Sequence, residues 1–231
     1  MTGNNPWRNP PLQEAILEVR FPPVEDYTLF VAELTVKNRK FFPETQALPN
    51  ANMPSNIIIS GQVRHRFIGK NKDVIFQVGP DTLSINIIKY SGFDSFKNHI
   101  SKIIKALGEA IHLEKIEKIS LRYINRFSRV QDVFTVLNIV SPFPNHNKSK
   151  TTGIQLGFTV EEDSNTFIST NIVFPVDNKD LILDINAFFI SKVPTMNWNF
   201  DLMLEWINKS HDLIYDNFEV LVGEKEKEER K

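Results

Sequence analysis

The residues best suited to chemistry lie inside stretches that read as strands. In Lys118–Val130, KISLRYINRFSRV, side chains alternate between two faces: Ile119, Leu121, Tyr123 and Phe127 on one, Ser120, Arg122, Ile124 and Arg126 on the other. Asp184 sits in LILDINAFF, and Glu18 and Arg20 in EAILEVRF, among apolar neighbours. A charge inside a strand needs an ionic or hydrogen-bonding partner, because desolvating it alone is costly. Two chemistries fit. In one, Arg122 and Arg126 join Asp184, and Glu18 joins Arg20, in a buried network that glues two halves of the fold. Asn125 and Asn186 would complete its hydrogen bonds. In the other, the paired guanidinium forks bind a phosphate or carboxylate, making a small-anion or nucleotide sensor or a hydrolase of Arg122, Arg126 and Asp184. We adopt the first.

Other groups offer less. Gln62–Arg66 is the dense basic stretch of the first half. Arg64, His65 and Arg66 could meet nucleic acid or an acidic partner, against the plainer reading of a solvated strand face. Glu161, Glu162 and Asp163 precede Ser164-Asn165 and read as a hairpin tip rather than a metal site. The histidines are His65, His99, His112, His146 and His211. None stands in HExxH spacing or beside a nucleophile elbow. With nine glycines and no GxGxxG, GxSxG or Walker loop, phosphate cradles are not expected. We therefore assign no catalytic residue, no metal ligand and no cofactor.

Composition bounds the rest. The 231 residues suit one large domain or two small ones. They are 41% hydrophobic and 24% charged, the balance of a folded globular chain, and the 18 phenylalanines can fill a large core. A net charge of −1 argues against a nucleic-acid coat. The absence of cysteine removes disulfides, thiolate nucleophiles and cysteine-ligated metals. No apolar run approaches the ~20 residues that span a bilayer. The polar, Pro-rich start MTGNNPWRNPP lacks the apolar region of a signal peptide, so the expected location is the cytoplasm.

The elements that position these groups follow from periodicity. Residues 1–11 read as an extended arm carrying Trp7. Ala15–Phe21 alternates as a strand, and 26–42 reads as a helix with Leu29, Phe30, Leu34 and Phe41 on one side. Residues 43–55 read as a loop. Ile57–Ser60, Gln62–Ile68, Asp73–Val78 and Leu83–Lys89 make a strand meander. Residues 92–112 place Phe93, Phe96, Ile100, Ile103, Ile104, Leu107 and Ile111 on one helical face, with Asp94 or Ser95 as cap. Val133–Val140 reads as one more strand, and 141–152 as the connection between lobes. Gly153–Val160, Phe167–Phe174 and Lys179–Phe189 repeat the meander. Asn199–Leu221 reads as a long helix whose inner side carries Met203, Trp206, Ile207, Ser210, Leu213, Ile214, Asn217 and Phe218, closed by Gly223. The charged tail 223–231 is expected to be mobile.

Four stretches carry a resemblance: Pro11–Phe21 (PLQEAILEVRF), Leu83–Phe96 (LSINIIKYSGFDSF), Leu121–Phe127 (LRYINRF) and Leu181–Phe189 (LILDINAFF). In this order and spacing, with a helix ending at His211–Leu221, the chain resembles a family of bacterial proteins of about this length. That family is scattered sporadically among genomes and has no established biochemical activity to carry over. The resemblance spans roughly residues 10–222. Two departures stand out: Asn186 replaces an expected acid, which weakens any two-carboxylate metal site, and Phe93 stands where Trp is common. Patchy distribution implies genes on mobile or defensive islands.

The expected fold is α+β, with antiparallel-rich sheets from two related strand-meander/helix lobes and helices on one face. The lobes are 1–140 and 153–222. No residue-level repeat is read between them. The expected function is non-catalytic binding or regulation within a phage-defence or toxin–antitoxin-like locus, through a protein partner such as a neighbouring-gene product. The long apolar stripe of the last helix also suggests a homodimer contact.

Overall fold

A computed structural model describes residues 10–54, 57, 59–110, 115–139, 153–176, 179–190, 196–197 and 199–230. Trp7, His112, His146, Trp198 and the 141–152 connection lie outside the described residues, as do the side chains of Leu107 and Ile111. The strands in chain order are β1 (Leu12–Arg20), β2 (Glu44–Ala47), β3 (His65–Ile68), β4 (Val74–Val78), β5 (Thr82–Ile87), β6 (Lys115–Ile116), β7 (Lys118–Phe127), β8 (Ile154–Glu161), β9 (Thr166–Phe174), β10 (Leu181–Ile190) and β11 (Met196–Asn197). The helices are α1 (Tyr27–Asn38), α2 (Phe93–Ala110), α3 (Val133–Val136), α4 (Phe200–Leu221) and α5 (Glu224–Arg230).

Nine strands form one antiparallel sheet in the order β2-β3-β4-β5-β1-β7-β10-β9-β8, and β6 pairs with β11 apart from it. The α+β class with an antiparallel-rich sheet therefore holds. One face of the sheet carries the core. Ala15, Leu17 and Val19 of β1, Leu121 of β7, and Leu183, Ile185 and Ala187 of β10 are all fully buried there. The helices cover this face. Phe30 and Leu34 of α1, Ile100 and Ile104 of α2, and Ile207 and Ile214 of α4 supply the facing layer. The opposite face has no helix over it among the described residues and carries the polar half of each strand.

Several segments differ from the sequence expectation, each for a local reason. Val133–Val136 is a helical turn rather than a strand, because Asp132 caps it by accepting from the Phe134 N–H. Leu137 then bridges to Val222. The supposed mobile tail is helix α5: Lys227 is buried against Glu219 and Glu224, and the Arg230 guanidinium lies 5.5 Å from the Phe127 ring centre. Ile57 and Ile59 lie in a loop rather than a strand, while Glu44–Ala47 is a strand rather than part of a loop. In α1 the buried stripe is Tyr27, Phe30, Leu34 and Asn38, so Leu29 and Phe41 face solvent. Asp94 falls in the first turn of α2 rather than at its cap. Met203, Ile207, Ser210, Ile214 and Phe218 of α4 are buried as expected, but Trp206 and Leu213 are only partly so.

The sheet register exposes a repeat that the linear sequence hides. Arg20-Phe21-X-X-Val24-X-Asp26 leaves β1 as Arg126-Phe127-X-X-Val130-X-Asp132 leaves β7. Asp26 and Asp132 each cap the following helix. Val24 N–H donates to the Pro80 carbonyl and Val130 N–H to that of Lys179, each just before the meander's last strand. Leu83-Ser84-Ile85-Asn86 sits beside β1 as Leu183-Asp184-Ile185-Asn186 sits beside β7. The next helices open alike, Phe93-Asp94-X-Phe96-X-X-X-Ile100-X-Lys102 and Phe200-Asp201-X-Met203-X-X-X-Ile207-X-Lys209. Matching the motifs carries Ile16 onto Arg122, and these two residues are themselves partners across the β1–β7 seam. A pseudo-two-fold axis therefore runs through that pair. Each module is a strand, a helix, a meander and a second helix, and one sheet holds both.

The helix side of the seam is fully buried at Leu17 and Leu121, so both should weigh heavily in stability. Leu17→Ala and Leu121→Ala, both at fully buried positions, are each expected to cost ~2–5 kcal/mol in urea unfolding. Leu156→Ala on half-exposed β8 should cost about 1 kcal/mol or less.

Candidate functional site

The charged strand residues converge on the open face of the three central strands. Arg122 donates from Nε to Asp184 Oδ1 at 2.8 Å and from Nη2 to Asp184 Oδ2 at 2.6 Å, a two-pronged pair between β7 and β10. The pair is diagonal, since Asn186 is the residue opposite Arg122 and Ile124 the one opposite Asp184. Across the seam, Glu14 and Glu18 of β1 flank Ile16 and add their fields to that of Asp184. The hydrogen bond to Asp184 is the main cause that raises the Arg122 pKa further. The Arg122 side chain is 45% exposed and that of Asp184 11% exposed. Glu18 Oε1 accepts from Arg20 Nε at 2.9 Å along one strand.

This differs from the expected network in three respects. The pairs lie on a solvent-facing sheet surface rather than in a sealed interior. Arg126 pairs with Asp180, not Asp184, and holds that carboxylate below its ordinary pKa. Asn125 is on the other face, where its Nδ2 donates to the Leu183 carbonyl at 3.2 Å. Asp180 falls at the edge of the expected strand Lys179–Phe189 and is not among the residues singled out there; the structure places it just ahead of β10, which begins at Leu181.

The polar surface continues across the first module. Arg66 of β3 donates to Gln77 Oε1 of β4, and Gln77 Nε2 donates to Ser84 Oγ and Asn86 Oδ1 of β5. Asn86 Nδ2 then donates to Glu14 Oε1 of β1 at 2.8 Å. A connected stripe thus runs from β3 to β1 and meets the Arg122–Asp184 pair at the seam. At one end of the face, Phe167 stacks on Phe188 at 5.5 Å, and Lys118 lies 5.5 Å from the Phe188 ring. Asn186 Oδ1, beside Arg122, is a buried acceptor with no partner.

The Arg64–Arg66 patch is dispersed. Arg64 lies just ahead of β3, so strand alternation does not govern it, and it is fully buried. Its guanidinium donates to the carbonyls of Met53 and Ile57 and lies 5.7 Å from the Tyr27 ring centre. It pins the loop between β2 and β3. His65 Nδ1 is 2.9 Å from the Tyr27 hydroxyl on the helix side, and burial lowers its pKa. Only Arg66 reaches the open face. Asp163 accepts from the N–H groups of Asn165 and Thr166 and from Lys209, a hairpin tip tied to α4. Among the described residues, no group of three or more His, Asp or Glu could hold a metal, and no helix is long and apolar enough to cross a membrane.

One cluster had no counterpart in the sequence reading. On the helix side, the Tyr123 hydroxyl is 2.8 Å from His211 Nδ1 and 3.5 Å from the Tyr90 hydroxyl. Phe93 stacks on His211 with ring centres 3.8 Å apart. Burial pushes the Tyr90 hydroxyl up to about 12, raises that of Tyr123, and drives His211 down to about 4. These residues tie the starts of α2 and the middle of α4 to β7. The matching positions of the first module are Leu17 for Tyr123 and Ile104 for His211, both apolar.

No protein-family model matches the chain, and no curated protein matches it.

Two outcomes follow from burial. Arg64→Ala removes a fully buried side chain and both its bonds to the loop carbonyls of Met53 and Ile57, and should cost ~2–3 kcal/mol in chemical denaturation. Arg122→Ala leaves the buried Asp184 carboxylate without its cation and should cost ~1–3 kcal/mol. His211 has a second signature. Its folded pKa is below its unfolded value near ~6.5, so unfolded chain binds more protons between the two. Stability should therefore fall as pH drops from about 6.5 toward about 4. The groups facing it are Tyr90, Tyr123, Tyr215, Asp94, Lys97 and Asp212. A His211→Asn variant should show a flatter melting-temperature profile over that range.

Proposed function

We propose that the protein is a non-catalytic binding or regulatory component of a bacterial phage-defence or toxin–antitoxin-like locus, and that it presents the open face of its sheet to a protein partner. The observation that carries this reading is the continuous polar stripe across that face. Its ionic groups bind one another, Arg122 to Asp184, Arg126 to Asp180 and Arg20 to Glu18, so both forks are already filled by carboxylates. Such pairs hold side chains in fixed positions on a broad surface, and a protein interface uses fixed, complementary polar groups for register and specificity. An anion or nucleotide would have to displace Asp184 to reach Arg122. The locus assignment rests on the family resemblance and its sporadic distribution.

The test is co-purification from the host of the tagged protein with the products of adjacent genes. The wild type is expected to retain one of them. The Arg122→Ala, Asp184→Ala double variant should lose it while melting within a few degrees of wild type. Retention of the partner by the double variant would contradict the open-face assignment. A hydrolytic activity abolished by Asp184→Ala in folded protein would contradict the non-catalytic reading.

A further inference from the structure

The internal repeat sets one end of the seam apart from the other. On the open face, the last pair of the seam is Arg20 of β1 and Lys118 of β7, which stand directly opposite each other. Side chains so placed start about 5 Å apart, and like charges there repel. Matching Ile16 with Arg122 carries Arg20 onto Arg126 and Leu12 onto Lys118. The other end of the seam therefore has one cation where this end has two. The turns differ as well. Asp180, three residues before Leu183, bonds Arg126, and the residue three before Leu83 is Pro80. The chain gives Arg126 a carboxylate. It gives Arg20 a proline at the matching place and a second cation across the seam.

The two cations keep donors to spare. Arg20 uses its Nε for Glu18 Oε1, and among the described residues its two terminal nitrogens make no hydrogen bond. Gly61 fixes the plane of the fork. Its φ is +73°, and Arg20 Nη2 lies 2.6 Å from where a Cβ on that residue would stand, so a side chain at 61 would push the guanidinium aside. Asp81 does not fill the fork: both its oxygens accept from the Gly61 N–H at 3.1 Å. Lys118 has no ion pair among the described residues, and its ammonium lies 5.5 Å from the Phe188 ring centre. Burial is the main cause that lowers the Lys118 pKa, with Glu18 acting against it and Arg20 adding to it. The Arg20 and Glu18 side chains are each about one-third exposed, at 33% and 30%, so this cluster is partly withdrawn from water yet open to a ligand.

We infer that Arg20 and Lys118 form a binding site for one carboxylate of the protein partner, an aspartate or glutamate side chain held between the terminal nitrogens of Arg20 and Lys118 Nζ. The inference rests on the open-face reading and names the chemistry that the partner brings to this end of the face. The twin defines the ligand, because the matching arginine takes the carboxylate of Asp180. A carboxylate can accept from a guanidinium fork and an ammonium at once, and such charge-assisted bonds are the strong ones. The charge also fits: two cations and the single carboxylate of Glu18 leave +1, which one further carboxylate cancels.

Malonate probes the site, and the co-purifying adjacent-gene product probes the source of the carboxylate. In protein whose lysines carry isotope-labelled methyl groups, malonate should shift the Lys118 NMR signal saturably in the millimolar range and leave the other lysine signals in place. Arg20→Gln should melt within a few degrees of wild type and bind malonate at least tenfold more weakly. Arg20→Lys keeps the charge but loses the fork, and should weaken binding as well. Lys118→Met, which keeps the apolar stem over Phe188, should retain at least tenfold less partner than wild type. No malonate shift at Lys118, or an unchanged shift in Arg20→Gln, would overturn the site whatever the Arg122→Ala, Asp184→Ala double variant shows. Malonate binding together with full partner retention by Lys118→Met would overturn the assignment of the carboxylate to the partner, and the double variant alone would then judge the open-face reading.

Discussion

The seam between β1 and β7 is the constraint on which the rest depends. Two strands that each continue into a helix and a meander meet there antiparallel, and both meanders hang from them. Side chains of opposite character point to opposite faces. Leu17, Val19 and Leu121 bury against the helix layer, while Glu14, Glu18 and Arg122 line the open side. A one-residue slip would send the charges into the core and the leucines into water, so burial of one face fixes the register. The ions on the open face refine this arrangement. Their exposure limits what they add to stability, and the leucines beneath supply most of it.

The pseudo-two-fold at Ile16 and Arg122 turns differences between the modules into information. Where both halves need only a core, they keep the same residues: Phe21 and Phe127, Leu83 and Leu183, Ile100 and Ile207 are buried alike. Four of the positions where the second module departs from the first bear on the site. Arg122 replaces Ile16, Asp184 replaces Ser84, Tyr123 replaces Leu17 and His211 replaces Ile104. On the helix side Tyr123 and His211 bring polar groups into a core that must then satisfy them, while Arg122 and Asp184 stand on the open face. These four bond in pairs, Arg122 with Asp184 and Tyr123 with His211, whereas Thr170 and Ser210, in place of Phe76 and Ile103, bury hydroxyls with no partner among the described residues. Among the described residues, β8 also has its apolar side half-exposed where that of β3 is buried.

Much of this was legible in the sequence because alternation is a strong signal. β1, β4, β5, β7, β9 and β10, and the helices α2 and α4, follow from apolar spacing alone. What was not legible depended on contacts. Val133–Val136 has strand-forming residues, but an aspartate cap decides its conformation. The charged segment Glu224–Arg230 has no apolar stripe, yet Lys227 finds two carboxylates and Arg230 a phenylalanine ring. Arg64 and Arg66 look alike in sequence. One is a buried clamp on a loop and the other a surface residue, because β3 begins between them. The Arg126–Asp180 pair and the repeat itself became visible only through the strand register.

Native-state hydrogen exchange is the direct test of the seam. If the two modules are one cooperative body joined at β1 and β7, the amides of Leu17, Val19, Leu121 and Tyr123 belong to the slowest class. Their opening free energy should equal that of global unfolding and should match the slowest amides of β5 and β10. If either module's strands exchange through an opening well below the global value, while the other module stays protected, the account is wrong.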